Sequence, residues 1–205
     1  MKKSLIFVHG GDSYTRDEDF LEALQCQNLY DPQGKQRNKF WSHDLHDQLE
    51  HTYEVFTPTM PNKANACYEE WKIWFERHLA LTEGEVVLVG WSLGAMFLAK
   101  YLIEEQLDHA VSALFLIAGP CGTYNDGSGN DCGSFRFEPS LIPTMREKVP
   151  NVEVWHSKDD FVVPYEHALK FKELLPSAEL VTFSDRNHFL QNEFPELIQK
   201  LKEFA

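Results

Sequence analysis

The sequence predicts one α/β domain built on a mostly parallel six-stranded sheet with helices on both faces. Short runs of β-branched and apolar residues alternate with longer stretches of helical periodicity, and this alternation predicts a parallel sheet. The two central runs, at residues 86–89 and 113–117, are continuously apolar, as expected of strands covered by helices on both sides. The 205 residues suffice for one domain, and no linker or internal repeat divides residues 1–205.

The strands are predicted from short runs rich in β-branched and aromatic residues. In chain order they cover residues 4–8, 53–57, 85–89, 112–118, 152–156 and 179–183. The segments between them predict helices over residues 17–25, 42–51, 65–80, 93–105, 140–148, 165–174 and 193–204. A doubly wound sheet of this kind runs in the strand order 2-1-3-4-5-6, and its ligand crevice opens between strands one and three.

Two irregular stretches interrupt the alternation, at residues 28–39 and 120–134. The second is rich in turn-forming residues and follows strand four at the carboxyl edge of the sheet. We therefore expect it to be a surface loop that lines or covers the substrate pocket. The four cysteines contain no C-x-x-C pair, which predicts reduced thiols. A disulfide between Cys121 and Cys132 stays open as an alternative, although no feature of the sequence supports it.

Charge and hydropathy exclude several classes of function. The formal net charge of −13 predicts a surface that repels nucleic acid. The first apolar run, at residues 5–8, is too short for a signal-peptide core or a membrane span, so we expect a cytoplasmic protein without a membrane partner. The histidines at 43, 46 and 51 lack metal-ligand spacing, and neither a metal nor a cofactor is expected.

The run Gly90-Trp91-Ser92-Leu93-Gly94 fits the G-x-S-x-G pattern of a nucleophilic serine. It directly follows an apolar strand and directly precedes a helix, which is the setting that such a sharp turn requires. The two glycines leave space for strand and helix to approach each other. Ser92 is therefore the predicted nucleophile, and the N–H of Leu93 at the helix start is a predicted oxyanion donor.

A second oxyanion donor is predicted where strand one ends in His9-Gly10-Gly11. This run contains neither G-x-G-x-x-G nor a P-loop pattern, so a phosphate-binding turn is disfavoured. The N–H of Gly11, or failing that the N–H of Asp12, is expected to face the crevice beside Leu93.

The base and acid are predicted from the chain order Ser, Asp, His that hydrolases with a serine elbow follow. Asp159 and Asp160 both follow strand five, and His188 follows strand six. His188 is therefore the predicted base. Adjacent side chains in an extended segment point to opposite sides, so one aspartate of the pair should reach the histidine.

These motifs resemble those of the small serine hydrolases related to retinoblastoma-binding protein 9, within the α/β-hydrolase superfamily. The resemblance rests on Pro58-Thr59-Met60-Pro61, Trp71 and Trp74, the serine elbow, the run 159–164, and His188-Phe189 followed by residues 192–197. It implies an α/β-hydrolase fold without a large cap domain. It also implies that Asp160 is the acid, because in the related enzymes this residue stands four positions before the proline of D-x-x-V-P.

These residues together predict a serine hydrolase that cleaves a small acyl ester, or a related acyl bond, through an acyl-enzyme. The aromatic residues expected to lie near the crevice favour a small, partly apolar substrate; they are Tyr14, Trp91, Phe161 and Phe189. Two alternatives stay open. The scaffold can serve as a protein-binding module, with a partner that the sequence does not reveal, or the same three residues can catalyse another reaction, such as C–C bond cleavage or perhydrolysis.

Overall fold

The computed structural model describes residues 2–26, 39–127 and 129–205. Its sheet has six strands in the order β2-β1-β3-β4-β5-β6, and every neighbouring pair is parallel. The strands are β1 (Ser4–Val8), β2 (Glu54–Phe56), β3 (Val86–Trp91), β4 (Val111–Ile117), β5 (Val152–Ser157) and β6 (Glu179–Phe183). The predicted strand order is therefore confirmed, and the predicted strand ends differ from these by at most two residues.

The helices lie where the sequence predicts them, but two differ in type. They are α1 (Asp17–Cys26), α2 (Leu45–Leu49), α3 (Tyr68–Leu79), α4 (Leu93–Glu104), α5 (Glu166–Leu174) and α6 (Pro195–Lys202), with 3₁₀ helices at Trp41–Asp44, Gly133–Phe135 and Pro139–Glu147. The predicted helix 42–51 thus begins as a 3₁₀ turn. The predicted helix 140–148 is wholly 3₁₀; it contains Pro143, which has no N–H to donate to an α-helical bond.

The side chains of the sheet divide into two cores, one on each face. Successive residues of a strand point to opposite sides, so Ile6 belongs to the core that contains residues of α3, α4 and α5, whereas Leu5 belongs to the core that contains residues of α2 and α6. The central strands β3 and β4 are buried on both faces. This gives the three layers that the sequence predicts.

Close packing between α4 and the strands positions the serine turn. A Cβ at Gly94 would lie 2.1 Å from the carbonyl oxygen of Val8, and a Cβ at Gly90 would lie 2.6 Å from the Cα of Ala95. Only glycine permits these approaches, because a real Cβ does not come so close to backbone atoms. The ends of β1 and β3 and the start of α4 therefore meet at one place.

The predicted irregular stretches have different outcomes. Residues 28–38 lie outside the described part of the chain. Apart from residue 128, the stretch 120–134 is described, and the connection from β4 to β5 that contains it holds short 3₁₀ helices; no cap domain occurs among the described residues. Cys121 and Cys132 are both free and buried. None of the described helices has the length and hydropathy needed to cross a bilayer.

Candidate active site

Ser92 occupies a strained position at the N-terminus of α4. Its φ of 56° and ψ of −123° lie outside the regions that a non-glycine residue favours. The turn is held on both sides, because the Ser92 N–H donates to the Ile117 carbonyl at 2.9 Å and the Ala95 N–H donates to the Ser92 carbonyl at 3.0 Å. The strain is therefore maintained by the sheet and the helix, and the Ser92 side chain is presented in a cleft.

The structure brings His188 and Asp160 together. His188 Nδ1 lies 2.8 Å from Asp160 Oδ2 and 3.1 Å from Asp160 Oδ1. The Asp160 side chain is fully buried, and its Oδ1 also accepts the N–H groups of Val162 and Val163 at 2.8 and 2.9 Å. Because a carboxylate only accepts, we assign the proton of neutral His188 to Nδ1, which leaves a lone pair on Nε2. His188 and Ser92 line the same cleft.

Asp159 serves a different purpose from its neighbour. Its Oδ1 accepts the Asn187 N–H at 3.1 Å and the hydroxyl proton of Ser157. Ser157 Oγ in turn accepts the Arg186 N–H at 3.1 Å. The bond with Ser157 is the main cause that lowers the pKa of Asp159. Asp159 therefore fastens the turn that precedes His188 to the end of β5.

Two indoles hold the histidine turn from the other side. Trp91 Nε1 donates to the His188 carbonyl, and Trp41 Nε1 donates to the Phe189 carbonyl, both at 3.0 Å. Asn187 and Phe189 both have positive φ, so the backbone on each side of His188 is constrained. The positioning roles of Asp159 and Trp41 are not apparent in the sequence, because Asn187 and Phe189, whose backbone they hold, lie far away along the chain.

The family model described as "Serine hydrolase" matches residues 33–200, which is most of the chain. The chain belongs to the serine hydrolase family. This serine hydrolase is 27% identical, over 150 residues, to the serine hydrolase RBBP9 of Rattus norvegicus; the match covers 73% of this chain and 77% of that protein.

Solved structures agree with the fold of this serine hydrolase. The ydeN gene product of B. subtilis superimposes with a TM-score of 0.76 at 18% identity, covering 99% of this chain and 98% of the other. The CarC enzyme, a serine hydrolase involved in carbazole degradation, gives a TM-score of 0.63 at 16% identity, covering 99% and 91%. Both confirm the α/β-hydrolase fold that the sequence predicts.

The glycine run after β1 lies next to the serine. A Cβ at Gly10 would be 3.0 Å from Ser92 Cβ, so this backbone passes directly beside the nucleophile candidate. Of the two predicted donors, the Asp12 N–H is already used, because it donates to the Lys63 carbonyl at 2.8 Å. Gly11 is thus the better candidate for the second oxyanion donor. Leu93 contributes the first N–H of α4, which has no partner within the helix.

His9 orients this glycine run. Its Nδ1 lies 2.6 Å from the Gly10 carbonyl, and its Nε2 accepts the Met60 N–H at 2.8 Å. Only the neutral ring with the proton on Nδ1 satisfies both bonds. Burial is the main cause that lowers the pKa of His9, and the charge of Lys63 lowers it further. His9 thereby fixes the peptide plane whose N–H belongs to Gly11.

The cleft at Ser92 has a volume of about 750 Å³. Its lining includes Gly11, Phe40, Lys63, Trp91, Ser92, Val162, His188 and Leu190. Of the four aromatic residues predicted to line it, only Trp91 does so. Phe189 is fully buried in the core against Phe194, because the turn after His188 directs its ring inward.

The other two predicted pocket residues lie outside this lining. Phe161 is 70% exposed beside Val162. Tyr14 lines a neighbouring 570 Å³ pocket together with Gly127 and Gly129 of the 120–134 stretch. The described residues of that stretch therefore lie beside the Ser92 cleft and do not line it, contrary to expectation. Asn130 Nδ2 donates to Asp12 Oδ1 at 2.9 Å, and Asp12 lines both pockets.

Metal-binding side chains do not cluster within the described residues, where no group of three or more His, Cys, Asp or Glu is suitably placed. The histidines of the 42–51 segment are dispersed. His43 lines the cleft. His46 Nδ1 instead lies 3.8 Å from Glu50 Oε2, and His51 Nε2 lies 3.9 Å from Glu50 Oε1.

A second histidine, His156, lies behind Asp160. Its Nε2 is 2.8 Å from the Val163 carbonyl and 3.4 Å from Asp160 Oδ2, and its Nδ1 is buried without a partner in the described structure. The Nε2–H tautomer fits both oxygens. Burial is the main cause that lowers the pKa of His156 below its usual 6.5.

This buried histidine predicts a pH dependence of stability. In the unfolded chain, His156 binds a proton below about pH 6.5, whereas burial disfavours this protonation in the folded protein. The free energy of unfolding therefore falls as the pH drops below that value. His156→Gln should reduce the slope of unfolding free energy against pH by up to about 1.4 kcal/mol per pH unit. Urea titrations at several pH values below 7 measure it.

The matched control is His51→Gln, because the His51 side chain is 93% exposed and should leave the slope unchanged. Some slope should remain in His156→Gln, since burial also lowers the pKa values of His9 and His167. Equal slopes in the wild type and His156→Gln would contradict the assignment.

Proposed function

We propose that this serine hydrolase cleaves small acyl esters through Ser92, His188 and Asp160, by way of an acyl-enzyme. The observation that carries the proposal is the 2.8 Å contact between His188 Nδ1 and buried Asp160 Oδ2, at the wall of the cleft that Ser92 enters. A base oriented by a buried carboxylate beside a strained serine is the arrangement that activates a hydroxyl nucleophile.

In the first step His188 Nε2 takes the Ser92 proton as the serine oxygen attacks the ester carbonyl. The Asp160 carboxylate stabilises the imidazolium that forms, while holding the ring in the required orientation. The two backbone N–H groups on Asp160 Oδ1 keep this carboxylate in place without removing its charge. The leaving alcohol then takes the proton from His188.

The carbonyl oxygen gains negative charge during this attack, and the proposed donors that bind it are the N–H groups of Leu93 and Gly11. Leu93 contributes the N-terminal end of α4, where the helix dipole favours an anion. Gly11 is held by the Gly10–His9 bond on one side and by the Asp12–Lys63 bond on the other. Water activated by His188 then releases the acyl group, and this chemistry requires no cofactor.

Active-site labelling together with an ester panel tests the proposal. Wild-type protein should react with a fluorophosphonate probe at Ser92, because only a serine with an activating base reacts quickly. It should also hydrolyse 4-nitrophenyl esters, and short acyl chains should be preferred because the 750 Å³ cleft accommodates a small ligand. If a fraction of the protein is labelled beforehand, the rate of ester hydrolysis should fall by the same fraction.

The other outcomes separate the alternatives. Protein that stays unlabelled and inactive after ample exposure contradicts the proposal and favours a binding module. Labelling of Ser92 without hydrolysis of any ester contradicts the substrate class, and favours another reaction of the same residues.

A further inference from the structure

Lys63 leaves the backbone directly beside Gly11. Its carbonyl oxygen would lie 2.6 Å from a Cβ at Gly11, and its own Cβ would lie 3.4 Å from the same point. The Asp12 N–H anchors that carbonyl at 2.8 Å, and the Ala66 N–H bonds to the Asp12 carbonyl, also at 2.8 Å. The Lys63 side chain therefore starts from a fixed place next to the proposed oxyanion donor.

Lys63 is an exposed residue of the cleft lining. Lys63 lines the cavity, and its positive charge is one of the causes that lower the pKa of His9 on the cleft wall. No carboxylate among the described residues lies within ion-pair distance of its ammonium group, whereas Lys3, Lys72 and Lys200 have partners at 2.7 to 3.6 Å. Lys63 therefore brings to the cleft lining a positive charge that no carboxylate of the described residues pairs with.

Asp12, an acidic residue of the same cleft lining, is held toward a different neighbour. Asp12 Oδ1 accepts from Asn130 Nδ2 at 2.9 Å, and the charges that act on it include Asp126. Burial is the main cause that raises the pKa of Asp12, followed by the repulsion from Asp126. Asp12 thus faces the 120–134 stretch, while the Lys63 charge acts on His9.

Another part of the lining is apolar. It includes Phe40, Trp91, Val162 and Leu190. A ligand that fits both parts combines an apolar group with a negative charge. A lysine ammonium binds a carboxylate through charge-assisted hydrogen bonds that demand little in geometry.

We propose that Lys63 binds a carboxylate on the acyl part of the substrate, so that the enzyme acts on monoesters of short dicarboxylic acids. This inference rests on the proposed function of Ser92. The charge is placed on the acyl part because the oxyanion proposed to bind at Gly11 is the carbonyl oxygen of that part. Lys63 Cβ would lie only 3.4 Å from a Cβ at Gly11. Ser92 Oγ forms the acyl bond as the ester C–O bond breaks and the alcohol leaves with the proton from His188. Water then releases the free dicarboxylate.

The test compares an anionic ester with its neutral isostere. The probes are mono-4-nitrophenyl glutarate and methyl 4-nitrophenyl glutarate, assayed on wild-type enzyme with the spontaneous rates subtracted. We expect kcat/KM to favour the monoanion, and Lys63→Gln to lower this preference by about tenfold, as loss of one charge-assisted bond predicts. Lys63→Arg should retain most of it, and higher salt should reduce it in the wild type.

Two controls make the result specific. Lys170→Gln removes one positive charge from α5, outside the cleft, and should leave the preference unchanged. A third ester with its carboxylate on the phenol ring places the charge on the leaving group, where Lys63 should have little effect.

An unchanged preference in Lys63→Gln, or a larger effect of this change on the ring-carboxylate ester, overturns the inference. In either case the neutral ester is still hydrolysed, so the proposed function stands. If the wild-type enzyme hydrolyses none of the esters, that result would instead contradict the proposed function itself.

Discussion

Ser92→Ala is expected to abolish both fluorophosphonate labelling and ester hydrolysis, with a loss in kcat of about 10⁶-fold. The reason is that Ser92 Oγ is the only atom proposed to form the acyl bond, so nothing replaces it when it is removed. Mass spectrometry of the labelled peptide and initial rates on a short 4-nitrophenyl ester measure the two effects. Circular dichroism shows whether the variant keeps its fold.

Ser42→Ala is the matched control, because Ser42 lines the same cleft but lies in the 3₁₀ turn at Trp41–Asp44, where its backbone lacks the positive φ of Ser92. Labelling and rate should remain within a fewfold of the wild type. If Ser92→Ala retains labelling, the reactive residue is another one, and the strained turn at Ser92 has a structural cause.

The second large effect distinguishes the two adjacent aspartates. Asp160→Asn should lower kcat by about 10⁴-fold at nearly unchanged stability, because an amide cannot hold His188 in the required tautomer. Asp159→Asn should cost less than about tenfold. An asparagine keeps the Oδ1 that accepts the Ser157 hydroxyl and the Asn187 N–H at 3.1 Å. Rates on a neutral ester, together with urea unfolding, measure both variants.

The reverse ranking on folded protein would assign the acid to Asp159. A large loss of activity in both variants, with stability reduced only in Asp159→Asn, would show that fastening the 186–187 turn matters as much as orienting the ring. Asp159→Ala then separates these effects, since it removes the acceptor as well as the charge.

The alternation of buried strands and helices could be predicted because it depends on local hydrophobic patterns, which are read directly along the chain. The strand order followed from the rules of parallel sheets, and the structure confirms it. The type of the segment at residues 139–147 could not be derived from periodicity alone. There Pro143 interrupts the α-helical hydrogen bonds, and a 3₁₀ helix forms instead.

The sequence by itself determined the fold class and the candidates Ser92 and His188, because the serine turn and the chain order are recognisable from local motifs. The choice of Asp160 over Asp159 came from the resemblance to related hydrolases. Only the tertiary structure decided which side chains line the cleft. Phe189 is directed into the core, and Tyr14 lies in the neighbouring pocket. The sequence did not single out Lys63, whose place beside Gly11 depends on a bond between distant loops. Such choices follow from long-range packing and hydrogen bonds, which local sequence patterns do not encode.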